Sequence, residues 1–231
     1  MMVGNTLVDT EALVTPHIMW ETSVGAPLVI AFTGHARGLN ELANFEFVKA
    51  TSGSAHSKIF IRDPYMAYYH LGIDANILNA HDLLACLREL ITTMRPSRIT
   101  CVGVSAGGYG SILFGHWLKV DSVHAFGPQV ILYEDWGREH DDPTIYKCKQ
   151  LHTATIAPEN DFRDLKEVIK DYNGKTVYKV HIGEDCQQDL NHANHIASCP
   201  GVEVVRYPCD SHACASQMLR ARGTLGQVIL S

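Results

Sequence analysis

The sequence predicts an α/β fold built on a mostly parallel central sheet with helices on both of its faces. Three observations carry this. Short apolar runs at residues 27–32 (PLVIAF), 98–104 (RITCVGV) and 122–126 (SVHAF) are near-continuous, as strands buried on both faces must be. Segments with apolar residues at three- and four-residue spacing lie between such runs, the alternation expected of parallel strands joined by crossover helices. With 231 residues, 46% of them hydrophobic and 19% charged, the chain is long and apolar enough to bury a single large core.

Along the chain, residues 11–24 read as an extended N-terminal strand or hairpin. Residues 27–32 read as a buried strand ending in a Thr33-Gly34 turn, and 58–62 (KIFIR) as a short strand closed by Asp63-Pro64. Residues 74–94 carry helical periodicity, with Asp74 or Asn76 as the cap and Pro96 just beyond the end. A strand at 98–104 and a helix at 106–120 follow, then strands at 122–126, 175–182 (KTVYKVHI) and 202–207 (VEVVRY). Residues 129–161 are less regular and form either a small cap or, the reading we favour, a long surface connection. Lacking repeats and linkers, residues 1–231 read as one domain.

Composition excludes several classes of partner. A formal net charge of −6, spread without runs, offers no footprint for nucleic acid or an anionic membrane. The first residues lack the pattern of a signal peptide and no apolar run approaches a membrane span, so a cytoplasmic protein is expected. The seven cysteines are an odd number and form no CxxC pair, which favours free thiols over a disulfide framework or a zinc ribbon.

The chemistry centres on residues 100–115, TCVGVSAGGYGSILFG. Ser105 sits between a strand-like and a helix-like run, with Gly103 and Gly107 two residues to either side. This is the pattern of a nucleophile elbow, in which a strained turn presents a hydroxyl at its tip and the flanking positions must lack bulk. A serine hydroxyl needs a general base oriented by a third group. His212, in the segment PCDSHACASQML after the last strand, fits the base. The acid is sought in GEDCQQDLNHANHIA, after the strand at 175–182. Asp185 is the first choice because it lies just past the strand end. Asp189 is the alternative, although an aspartate there also fits a helix cap, and Glu184 comes third. Oxyanion donors are expected from the backbone N–H of Ala106 and from the turn Thr33-Gly34-His35-Ala36, with the His35 amide preferred and Gly34 beside it.

These features together resemble the α/β-hydrolase superfamily: the elbow GVSAG at 103–107, the strand and turn VIAFTGH at 29–35, the acidic GED at 183–185 and the late His212. Thr33 stands where that superfamily more usually has a histidine. The extended elbow SAGGYGSILFG and the downstream AFGPQ at 125–129 are similar to a bacterial subgroup of small hydrolase-like proteins. The resemblance implies a serine hydrolase acting on a small acyl ester, thioester or acylated carbohydrate, without a cofactor. An acyltransferase would use the same parts, a carbon–carbon lyase the same scaffold, and a catalytically silent ligand- or partner-binding protein the same crevice. His192 and His195, with His181 and Asp185 nearby, read as polar helix face rather than a metal site. The aromatic stretch PYMAYYH at 64–70 reads as either pocket lining or packing at the sheet edge. Oligomeric state is not legible in the sequence.

Overall fold

The computed structural model describes residues 15–35 and 42–231. Residues 11–14 of the expected N-terminal strand and Ala36 of the expected oxyanion turn lie outside them. The strands are β1 (Ile18–Glu21), β2 (Leu28–Phe32), β3 (Ser57–Ile61), β4 (Ile99–Val104), β5 (Ser122–Phe126), β6 (Val177–Gly183) and β7 (Val202–Tyr207). They form one sheet in the order β1-β3-β2-β4-β5-β6-β7, with only β1 antiparallel to its neighbour.

The helices are α1 (Val48–Thr51), α2 (Ala80–Met94), α3 (Ala106–Leu118), α4 (Glu134–Glu139), α5 (Pro143–Tyr146), α6 (Lys149–Thr153), α7 (Leu165–Ile169), α8 (Gln187–Ile196), α9 (Cys214–Ala221) and α10 (Leu225–Ile229). Alternation along each strand divides the core into two layers. Leu28, Ile30, Phe32, Ile59, Cys101, Val123, Tyr178 and Val180 pack with residues of α2, α3, α7 and α8. Val29, Ala31, Phe60, Val102 and Phe126 face the other way, onto α9 and α10. Helices therefore cover both faces, as the continuous apolar strands require.

The start of α2 differs from expectation. Helix α2 begins at Ala80 and its cap is Asn79, whose side chain accepts from the Asp82 N–H, rather than Asp74 or Asn76. The Asp74 carboxylate instead accepts from the amides of Asn76 and Ile77, holding a separate tight turn ahead of the helix. Residues 129–161 contain α4, α5, α6 and a 3₁₀ turn at Pro158–Asn160, with Ile145 and Leu151 buried. Among the described residues, no helix is long and apolar enough to cross a membrane.

Candidate active site

Ser105 lies at the sharp turn from β4 into α3, with φ 56° and ψ −121°, and its N–H donates to Phe126 C=O at 2.9 Å. A non-glycine residue at positive φ is strained, and neighbours that admit no bulk hold it there. A Cβ at Gly103 would meet Gly107 O at 2.0 Å, and one at Gly107 would meet Phe32 O at 2.1 Å. All these obstructions are backbone, so the two glycines are steric requirements of the turn.

His212 lies in the loop from β7 to α9. Its Nε2 is 3.0 Å from Ser105 Oγ and its Nδ1 is 2.6 Å from Asp189 Oδ1. A carboxylate only accepts, so Nδ1 carries the imidazole proton and Nε2 is left bare toward the serine. Asp189 is buried in the first turn of α8, where the helix dipole favours its negative charge, and its other oxygen accepts from the Ala213 N–H at 3.1 Å. Gly127, at φ 50°, makes this approach possible: a Cβ there would lie 3.0 Å from Asp189 Oδ2 and 2.9 Å from Ala213 Cα. His212 and Ser105 remain partly open to solvent.

Asp185, the first choice for the acid, is not brought to His212. It is exposed, and its backbone N–H, rather than its carboxylate, ties it to the loop of His212 through Cys209 C=O. The strand end turns that side chain outward, whereas α8 carries Asp189 back under the imidazole. Glu184 is likewise exposed, its N–H bonded to Tyr207 C=O.

The turn after β2 adjoins the serine: a Cβ at Gly34 would sit 3.8 Å from Ser105 Cβ. Gly34 is not a free oxyanion donor, because its N–H donates to Glu46 Oε2 at 3.0 Å. The Glu46 N–H in turn faces Thr33 Oγ1 at 3.4 Å, and Thr33 C=O accepts from the Tyr69 hydroxyl at 2.7 Å. Thr33 and Glu46 thus clamp the turn that carries His35. Burial pushes the Glu46 carboxyl above its ordinary value, opposed by the Gly34 amide and Arg220. The His35 ring packs edge-on to Tyr68 at 4.6 Å, and burial lowers its pKa to about 4, so that side chain is neutral. A cavity of about 1110 Å³ reaches Thr33, Gly34 and His35 from the side of Phe45, Phe47 and Arg220, but Ser105 and His212 do not line it.

Two further features were not read from the sequence. Cys209 and Cys214 form a disulfide that closes the short loop holding His212, so the expectation of free thiols is corrected for this pair; the other five cysteines are free and buried. Two cysteines five positions apart across a tight loop lie within bridging reach, a local signal that the odd total concealed. The second feature is Gln129, fully buried just after β5, whose Oε1 is 3.0 Å from Ser105 Oγ and whose Nε2 is 3.2 Å from His212 Nε2. His192 and His195 are engaged elsewhere, with Asp142 at 3.0 Å and Asp164 at 2.8 Å. Among the described residues, no cluster of three or more His, Cys, Asp or Glu is placed to hold a metal. The second half of the aromatic stretch is core: Tyr68 and Tyr69 are fully buried at positive φ, on a loop pinned by the Asp63 carboxylate, whereas Tyr65 is exposed.

No protein-family model and no curated protein sequence matches the chain. Solved structures do. The capsule O-acetyltransferase of Neisseria meningitidis serogroup A is 15% identical with a TM-score of 0.65, covering 93% of this chain and 90% of its own. A thermophilic esterase from Thermogutta terrifontis is 12% identical with a TM-score of 0.55, covering 92% of each chain. The Gap123 glycosylation-associated complex of Streptococcus agalactiae is 13% identical with a TM-score of 0.64; the match covers 92% of this chain but 44% of that one. At these identities the likeness speaks for architecture, and the architecture of this chain is the α/β-hydrolase fold.

Proposed function

We propose that this protein is a serine acyltransferase that moves a small acyl group through an acyl-serine intermediate to a hydroxyl of a small molecule or carbohydrate. The observation that carries the reading is the continuous chain Ser105 Oγ, His212 Nε2, His212 Nδ1, Asp189 Oδ1, with contacts of 3.0 and 2.6 Å. In it, Ser105 attacks the donor carbonyl while His212 takes its proton. Asp189 holds the imidazole tautomer and stabilises the imidazolium. The amides of Ala106 and His35 stabilise the oxyanion, and His212 passes its proton to the leaving group. An acceptor hydroxyl then gives its proton to His212 and attacks the acyl carbon, and His212 returns that proton to Ser105 Oγ as the serine leaves. Water in place of that acceptor makes the same machinery a hydrolase.

Transfer is preferred over hydrolysis because the O-acetyltransferase aligns over nearly the whole length of both chains, and a mutant of that protein is described in complex with CoA. The esterase likeness supports hydrolysis as the second reading. Incubation with an activated acetyl ester or acetyl thioester, followed by intact mass measurement, should show acetylation of the wild type and none of Ser105→Ala. A panel of sugar and alcohol acceptors then separates transfer from hydrolysis by product. A folded wild type that neither acylates nor reacts with a fluorophosphonate at Ser105 sinks the enzymatic reading and leaves a binding protein.

A further inference from the structure

We infer that Gln129 is a positioning residue that restrains the base of the acyl-enzyme and so biases the site toward acyl transfer over hydrolysis; this rests on the acyl-serine reading above. The carboxamide is placed without freedom. Pro128 lies against the start of α3, where a Cβ at Gly108 would come within 3.0 Å of Pro128 Cβ. On the other side the Val130 N–H donates to His192 Nδ1 at 3.2 Å, which leaves His192 Nε2 to donate to Asp142 at 3.0 Å. Held between these anchors, the Gln129 side chain is fully buried and meets both Ser105 and His212.

Its orientation follows from the imidazole. Because His212 Nδ1–H goes to Asp189, Nε2 is a bare acceptor, and an amide oxygen turned toward it would set two lone pairs against each other. The amide N–H therefore donates to His212 Nε2, and the amide oxygen accepts the Ser105 hydroxyl. In the resting site the serine proton has two acceptors, Gln129 Oε1 and His212 Nε2, each 3.0 Å from Ser105 Oγ.

Once Ser105 is acylated, it no longer offers a proton to His212, and the Gln129 N–H alone occupies the Nε2 lone pair. Any nucleophile that uses His212 as base must displace that hydrogen bond. Bulk water brings no binding energy to do so. A bound acceptor does, through its remaining contacts, so the cost appears in its KM rather than in the transfer step. The acceptor O–H bond then breaks toward Nε2, the new acyl–oxygen bond forms, and the Ser105 ester bond breaks with the proton returned to Oγ.

The test compares wild type with Gln129→Met, which keeps the volume without the amide, and Gln129→Ala, using an activated acetyl ester and a hydroxyl acceptor found in the panel. Melting curves select variants that fold. The expected result is acyl-enzyme hydrolysis faster by roughly three- to tenfold, the weight of one neutral hydrogen bond. Transfer at saturating acceptor stays within about twofold and the acceptor KM falls. A folded variant whose ratio of hydrolysis to transfer equals that of wild type overturns the role of Gln129 while leaving the acyl-serine reading intact. Failure of wild type to acylate Ser105 overturns both.

Discussion

His212 and Asp189 meet at 2.6 Å, and Asp189 reaches the imidazole from the first turn of α8 rather than from the end of β6. The contact is made at Nδ1, so losing the carboxylate changes which imidazole nitrogen holds the proton.

Asp189→Asn is expected to lower kcat by roughly 10³- to 10⁴-fold, because an amide donating to Nδ1 favours the tautomer that cannot accept from serine. Asp185→Asn, at an exposed position, should stay within about twofold. Steady-state hydrolysis of an activated ester by both variants checks this, and a severe loss in Asp185→Asn with an active Asp189→Asn would reverse the assignment.

The Cys209–Cys214 disulfide encloses His212 and Ala213, whose N–H is bonded to Asp189. Closing so short a loop contributes about 2 kcal/mol on the chain-entropy account, and cutting it frees the segment that aims the base. Mild reduction, or the pair Cys209→Ser with Cys214→Ser, should lower kcat severalfold with a modest drop in Tm and little change in far-UV circular dichroism. Activity indifferent to dithiothreitol, with mass spectrometry showing two free thiols gained, would show that the loop does not need its staple.

On the α9 side of the sheet, His124 Nδ1 lies 3.1 Å from His181 Nε2, and His181 Nδ1 lies 3.0 Å from the Tyr207 hydroxyl. Burial, with Lys179 and Arg98 adding to it, lowers His124 to about 4. Burial, then His124 and Lys179, lowers His181 to about 3. Unfolded imidazoles titrate near 6.5, so below that pH the unfolded chain takes up protons that the folded chain refuses. The stability from these groups is complete above about pH 6.5 and is lost as pH falls toward 4, on the order of a few kcal/mol for the pair. Urea midpoints measured from pH 7.5 to 4.5 should fall steeply for wild type. They should fall less for the paired variant His124→Phe, His181→Phe, which removes both titrating groups and takes a partner only from the half-buried Tyr207 hydroxyl. Parallel curves for the two proteins would show that other groups set the acid limit.

The strands announced themselves by their apolar and β-branched content: residues 122–126 coincide with β5, which is buried throughout, and residues 202–207 with the edge strand β7, where Glu203 and Arg206 are exposed. Helix α2 was legible in periodicity but not at its start, since Asp74, Asn76 and Asn79 are all competent caps and only the turn at residues 74–77 decides between them. Gln129 stood in the motif AFGPQ without a visible role, because a carboxamide shows its partners only after folding.

By itself the sequence determined the layered α/β architecture and the bend that exposes Ser105, since both follow from local requirements: apolar continuity, helical spacing and glycines where backbones touch. It also put His212 past the last strand, at the carboxyl end of the sheet. Tertiary structure alone decided the carboxylate that meets that imidazole, the cysteines that pair around it and the amide that bridges it to the serine. The carboxylate and the amide turn on differences of a few ångströms between segments far apart in the chain, and the cysteine pair on how tightly the 209–214 loop closes, so all three are set by how α8 and that loop pack against the rest of the fold.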